Sequence, residues 1–226
     1  MIKKRETIIN VLFIFIGYNS ILSSSIMASS FCGDLKNFYG PFDYTNPKHY
    51  QENLSIVEQY HFNDNIEYLQ GGMSSNIMGD LTYTLRAFPN HHRALFTVIR
   101  YYTLLNTRHR EKRYWSAECF LERALKFKPD DGIVHMLYGI YLHKKGKYTE
   151  ALKKYQTALK YEPNNAELHY NIGLLYLKLK QYDKAYGHAQ QAYTKNYPLQ
   201  GLKNQLLNIN LGGTTETVSY KGKQTD

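Results

Sequence analysis

The stretch Gly132 to Asn165, GIVHMLYGIYLHKKGKYTEALKKYQTALKYEPNN, constrains this chain more than any other. Its small residues Gly139, Ala151 and Ala158 stand where two antiparallel helices need to approach closely, and Tyr138, Leu142, Tyr148 and Tyr155 fill the space around that contact. Gly146 supplies the turn, and Pro163 stops the second helix because its ring cannot continue one. The arrangement returns 34 residues later: Gly173, Tyr176, Tyr182, Ala185 and Ala192 fall in matching slots, with Pro198 one place late. A chance helix does not hold so many slots in register over 68 residues, so the spacing predicts two stacked copies of one helical hairpin.

That spacing resembles the tetratricopeptide repeat, whose period is ~34 residues with small residues at its eighth, twentieth and twenty-seventh places and a proline near its end. Gly139, Ala151, Ala158 and Pro163 hold those slots, while His135 and His169 both stand at the fourth place, where the family usually has tryptophan. The resemblance implies an all-α, right-handed solenoid of helix-turn-helix units that binds other proteins and is not an enzyme, although a fold does not fix its ligand. In the same register, residues 92–131 form a less regular repeat. Leu95, Val98, Ile99 and Tyr102 mark its first helix, and Tyr114, Ala117, Leu121 and Ala124 its second, which ends at Pro129. Pro89 and Pro129 are 40 apart, so the six extra residues belong in the connection Asn106 to Lys112, which should project from one face. Residues 63–91 read as a degenerate repeat, opened by a capping box at Asp64 and Glu67, interrupted at Gly71-Gly72, and closed by a helix carrying Leu81, Leu85 and Phe88 before Pro89. The chain therefore divides into a signal peptide (1–28), an irregular N-terminal strap (29–62), the degenerate repeat (63–91), three repeats (92–131, 132–165, 166–199), a capping helix (200–211) with Leu202, Leu206 and Leu207, and a disordered tail (212–226).

The first residues read as an export signal: Lys3, Lys4 and Arg5 precede the apolar run Ile8 to Ile16, and small residues at Ala28 to Ser30 suit cleavage near Ala28. Asn10 and the segment Gly17 to Ser20 interrupt the run short of the ~20 apolar residues that span a bilayer. The expected location is the bacterial periplasm, with an inner-membrane signal anchor as the alternative. Cleavage removes three positive charges and one negative, taking the net charge from +9 to +7. Two cysteines, Cys32 and Cys119, remain. An exported pair can oxidise, whereas the plainer reading makes Cys119 a buried apolar residue beside Ala117 and Phe120. The 22 tyrosines lie mostly in helical patterns, where the ring packs and the hydroxyl reaches water. The positive charge is spread over several helix faces, which argues against a nucleic-acid partner.

Nothing in the sequence assembles a catalytic or cofactor centre. His91 and His92 would face different ways on a helix, His135 and His143 are more than two turns apart, and HExxH, CxxCH, GxSxG and phosphate-cradling glycine loops do not occur. The run Tyr39 to Pro47 reads as a strap over the first helix pair, or as a ligand site built on Phe42, Asp43 and Tyr44. The family resemblance implies a concave wall made by first-helix side chains. In this chain these are Arg93, Phe96, Arg100 and Thr103, then Ile133, Met136, Ile140 and His143, then Glu167, Tyr170, Leu174 and Leu177. Such a wall suits an extended peptide or an amphipathic helix. Of the family's carboxylate-clamping positions only Asn171 matches, which argues against a chaperone-type clamp. The reading is thus a non-catalytic adaptor without cofactor that holds another protein or peptide. The alternative is a binder of anionic surfaces, peripheral at a membrane, using Arg108, Arg110, Lys112 and Arg113, with Lys144, Lys145, Lys147, Lys153 and Lys154 assisting. A metal or haem carrier ranks last.

Overall fold

The computed structural model describes residues 32–74, 76–104 and 115–212. The leader, the basic loop with Arg108, Arg110, Lys112 and Arg113, and the tail from residue 213 onward lie outside the described residues. The elements are α1 (Pro47–His49), a π-helical segment (Tyr50–Leu54), α2 (Ser55–His61), α3 (Asp64–Glu67), α4 (Ile77–Ala87), α5 (His92–Leu104), α6 (Ala117–Phe127), α7 (Gly132–Lys144), α8 (Tyr148–Tyr161), α9 (Ala166–Lys178), α10 (Tyr182–Tyr193) and α11 (Gly201–Gly212). The fold is an all-α solenoid. The most intimate pairs are α7 with α8 and α9 with α10; α5 and α6 pack on α7, and α9 packs on both α8 and α7.

The two regular hairpins match down to single hydrogen bonds. Asp131 and Asn165, 34 apart, cap α7 and α9 by accepting from the amides of Val134 (3.1 Å) and Leu168 (2.9 Å). Each first helix is closed by one amide reaching back, Lys147 to the Leu142 carbonyl and Gln181 to that of Tyr176, both at 2.9 Å. The residue before each donor is left-handed: Gly146 at φ +75° and Lys180 at φ +55°. Lysine accepts a backbone conformation that favours glycine because the packing of the hairpin dictates the turn. The histidines at the fourth place have an equally repetitive job. His135 Nε2 lies 2.9 Å from the Pro129 carbonyl and His169 Nε2 3.0 Å from that of Pro163. A carbonyl only accepts, so both rings carry their proton on Nε2 and tie each first helix to the turn before it.

Beyond the last repeat, α11 takes the place of a further first helix. Leu202 is fully buried among Ala185, Ala189 and Ala192, and its Cδ2 occupies the space left by Gly173. At the other end, α2 packs on α4, so the helix paired with α4 comes from the segment read as strap. The short turn α3 packs against both α4 and α5. Its cap is Asn63, which accepts from the Ile66 amide at 3.3 Å, and not Asp64.

The strap is spent on protein contacts. The Phe42 amide donates to the Ala87 carbonyl (2.8 Å), the Tyr44 amide to Asn90 (2.9 Å), and Phe42 and Tyr44 lie on Phe88 and His91. Asn90 is fully buried and donates to both Asp43 (2.8 Å) and Asp131 (2.9 Å), joining the strap to the start of α7. Burial alone would raise the Asp131 carboxyl, but hydrogen bonds from His92, Asn90 and the Val134 amide outweigh it and hold the group below its usual range. The strap begins at a disulfide between Cys32 and Cys119. Beside it the buried Arg123 donates to the carbonyls of Cys32, Gly33 and Asp34 and lies over the Trp115 ring.

Candidate functional site

The first helices α5, α7 and α9 stand in a row, and the twelve wall residues expected from the sequence fall into three groups along it. At the α5 end the wall is covered by the chain itself. Arg93 binds both carboxylate oxygens of Glu67 on α3, reaches Glu58 on α2 at 3.2 Å and lies over the Phe62 ring. The hydrogen bond and charge of Arg93 hold the Glu67 carboxyl below its usual range. Arg100 donates to the Glu67 carbonyl at 3.1 Å, and Thr103 to the Ile99 carbonyl of its own helix at 2.7 Å. Arg93, Arg100 and Thr103 therefore offer a ligand little.

The middle of the wall is more closed than its spacing suggests. Met136, Ile140 and Tyr170 are only 3%, 7% and 8% exposed. Adjacent first helices pack directly on one another, so these side chains become inter-repeat core; Tyr170 also packs at a tilt on Tyr197 from the loop leading to α11, with centroids 4.7 Å apart. What stays reachable is a strip: Phe96, 38% exposed, then Ile133, His143 and Glu167, with Leu174 and Leu177 half-buried towards α11. Glu167 has no cation beside it among the described residues, and desolvation pushes its carboxyl up. Burial, with the charges of Lys178 and Lys144, pushes the His143 ring down. The strip is apolar at its centre and carries one acid, Glu167, that no cation among the described residues neutralises.

Two constellations escaped the sequence reading. Ser74, His61 and Asp80 meet beneath Tyr83: Ser74 Oγ and Asp80 Oδ1 both lie 3.0 Å from His61 Nδ1, and Ser74 donates to Asp80. In a serine nucleophile relay the hydroxyl and the carboxylate sit on opposite ring nitrogens. These share one, so the cluster is a structural knot around the buried Asp80. Next to it Phe38, Tyr39, Ile56, Tyr60, His61 and Tyr83 line a cleft of about 290 Å³. No spacing in the sequence announces either, since the cluster gathers residues from α2, α4 and the segment between α3 and α4, and the cleft from the strap, α2 and α4. Among the described residues no group of three or more His, Cys, Asp or Glu is placed to hold a metal ion, and no helix is long and apolar enough to cross a membrane.

The histidines make the fold sensitive to acid. His169 Nε2 donates to Pro163, so its Nδ1 accepts, and His188 Nδ1–H, 3.0 Å away, must donate. Burial and the neighbouring His169 push His188 down to about 4; burial also lowers His91, His135 and His143. Above pH ~6.5 neither the folded nor the unfolded chain binds these protons. Below it the unfolded chain takes up protons that the folded one refuses, and stability falls until the folded rings titrate. Glu167 opposes this slightly, gaining stability as pH falls through its raised value. We expect His188 alone to remove about 1–2 kcal/mol between pH 6.5 and pH 5, measured by urea unfolding. His188→Asn should flatten that slope, and a midpoint unchanged by either pH or substitution would contradict the assignment.

Residues 139–180 match the family model described as TPR repeat. Among solved structures the chain is similar to MamA AMB-1 in two crystal forms. For the P212121 form the identity is 17% at a TM-score of 0.41, covering 76% of this chain and 92% of that one. For the C2221 form the values are 16% and 0.40, with 75% and 96% covered. A search of the curated proteins returns no match.

Proposed function

Since this chain is a tetratricopeptide-repeat protein, and such proteins generally bind other proteins and are typically non-catalytic, we propose that it is an adaptor of the bacterial periplasm. Its concave strip holds a peptide or an amphipathic helix. The observation that carries the reading is the strip itself. Phe96, Ile133 and Leu177 present apolar surface between two ends that the chain covers with α3 and α11, and Glu167 sits in that surface with no counter-charge among the described residues. The occupant it fits is an apolar segment bearing one basic side chain placed to reach Glu167. The leader-like N-terminus supports export, and so does a disulfide, which persists in oxidising compartments.

A photo-crosslinking residue placed at Ile133 or Phe96 in living cells tests this. Both positions should give an adduct of the same mass in the periplasmic fraction, and Lys153, on the outer face of α8, should give none. Glu167→Lys should abolish both adducts while leaving thermal unfolding within a few degrees of the parent. Adducts that are equal from Lys153, or that survive the charge reversal, would refute the groove as the binding surface.

A further inference from the structure

The hairpin turns of the two regular repeats, residues 143–150 and 177–184, are counterparts 34 places apart and hold six lysines against two carboxylates, Glu150 and Asp183. Lys144, Lys145, Lys178 and Lys180 are exposed and have no ion pair among the described residues. Lys147 meets Glu150 at 3.6 Å, and Lys184 bonds Gln181 at 2.9 Å over the Tyr176 ring. Because α7 and α9 pack side by side, the two turns are neighbours on one edge of the solenoid, and His143 feels the charges of both Lys144 and Lys178. At the opposite end of α7 Lys128 pairs with Asp130 at 2.8 Å, and the His92 ring hydrogen-bonds Asp131 at 2.9 Å. The two adjacent turns thus bring six lysines and two carboxylates together on one edge. Lys154, grouped with these lysines on sequence, is turned over the Tyr138 ring at 4.3 Å and does not belong to it.

The kind of anion follows from the kind of cation. All six side chains are lysines, compact point charges without the planar fork that grips a single phosphate, and such charges suit the diffuse field of many headgroups. Tyr182, 41% exposed on the same edge, is a residue that favours an interface where one end is apolar and the other wet. We propose that this edge docks on the surface of an anionic phospholipid bilayer, with Lys144, Lys145, Lys178 and Lys180 among the headgroups. The contact is electrostatic and peripheral, and it leaves the concave strip free.

The test is co-sedimentation of the protein, purified as it accumulates in cells, with vesicles of phosphatidylcholine alone or containing about 30% phosphatidylglycerol. Binding should require phosphatidylglycerol and weaken at least tenfold between ~50 mM and ~300 mM salt. Each lysine near such a surface contributes roughly fivefold, so K178E/K180E should bind at least about 25-fold more weakly, and K153E/K160E, on α8, less than about threefold. Equal binding to phosphatidylcholine, or K178E/K180E binding like the parent, would overturn the proposal. So would a protein that ignores both vesicles yet is retained by soluble polyphosphate. The photo-adduct from Ile133 should persist in K178E/K180E, which separates failure of this edge from failure of the groove.

Discussion

Replacing Cys32 and Cys119 by serine is expected to lower the unfolding free energy by about 4 kcal/mol. The bond joins residues 87 apart, so opening it returns a long loop's worth of conformational freedom to the unfolded chain. The folded state loses a second set of contacts with it. Arg123 is 3% exposed and directs its guanidinium at the carbonyls of Cys32, Gly33 and Asp34, and burial pushes its pKa down. If the start of the strap moves, that cation is left buried with fewer acceptors, a situation that costs several kcal/mol when complete. Both sulfurs are buried, so a reductant reaches them only as the chain opens; the serine variants therefore give the cleaner measurement. Urea midpoints that coincide for the parent and the double variant would show that the bond adds nothing to stability.

Gly139→Leu should cost about 3 kcal/mol, the upper range for overpacking a filled core. An added Cβ at this position would already lie 2.4 Å from Cδ1 and Cε1 of Tyr155, and leucine brings three further carbons. Tyr155 is 0% exposed between α7 and α8, so its ring has no free volume to retreat into. In a chain of this size the loss corresponds to roughly 6–12 °C in melting temperature. Gly187 provides the control. No atom lies within 4 Å of its missing Cβ on α10, so Gly187→Ala should stabilise by about 0.5–1 kcal/mol through helix propensity alone. If both substitutions shift melting by the same small amount, the close approach of α7 and α8 is not what makes Gly139 necessary.

The repeats were readable because their determinants are local. Gly139 and Tyr155 lie 16 residues apart on one hairpin, and Pro163, Asn165 and His169 lie within a single turn region, so spacing alone carries the contact. Lys180 shows the limit of reading residue types singly. Its turn has the geometry of the Gly146 turn, and the register, not the amino acid, reveals it. The wall was harder to read. A position on the first helix says which way a side chain leaves its own helix but not what stands opposite, so Met136 and Ile140 look like lining until the neighbouring repeat is in place. Arg93 is the clearer case: Glu58 and Glu67 lie 35 and 26 residues away on elements with no repeat pattern, and only their arrival turns a groove cation into an internal clamp.

From the sequence by itself come the all-α hairpins, their 34-residue register and the small residues that let them close, because helix period, caps and breakers act over a few turns of chain. The tertiary structure alone decided which cations remain unpaired, that Cys32 meets Cys119, and how short the open strip is. Those properties depend on which distant surfaces exclude water from one another, and that is set by how the stacked helices and the strap come together in three dimensions.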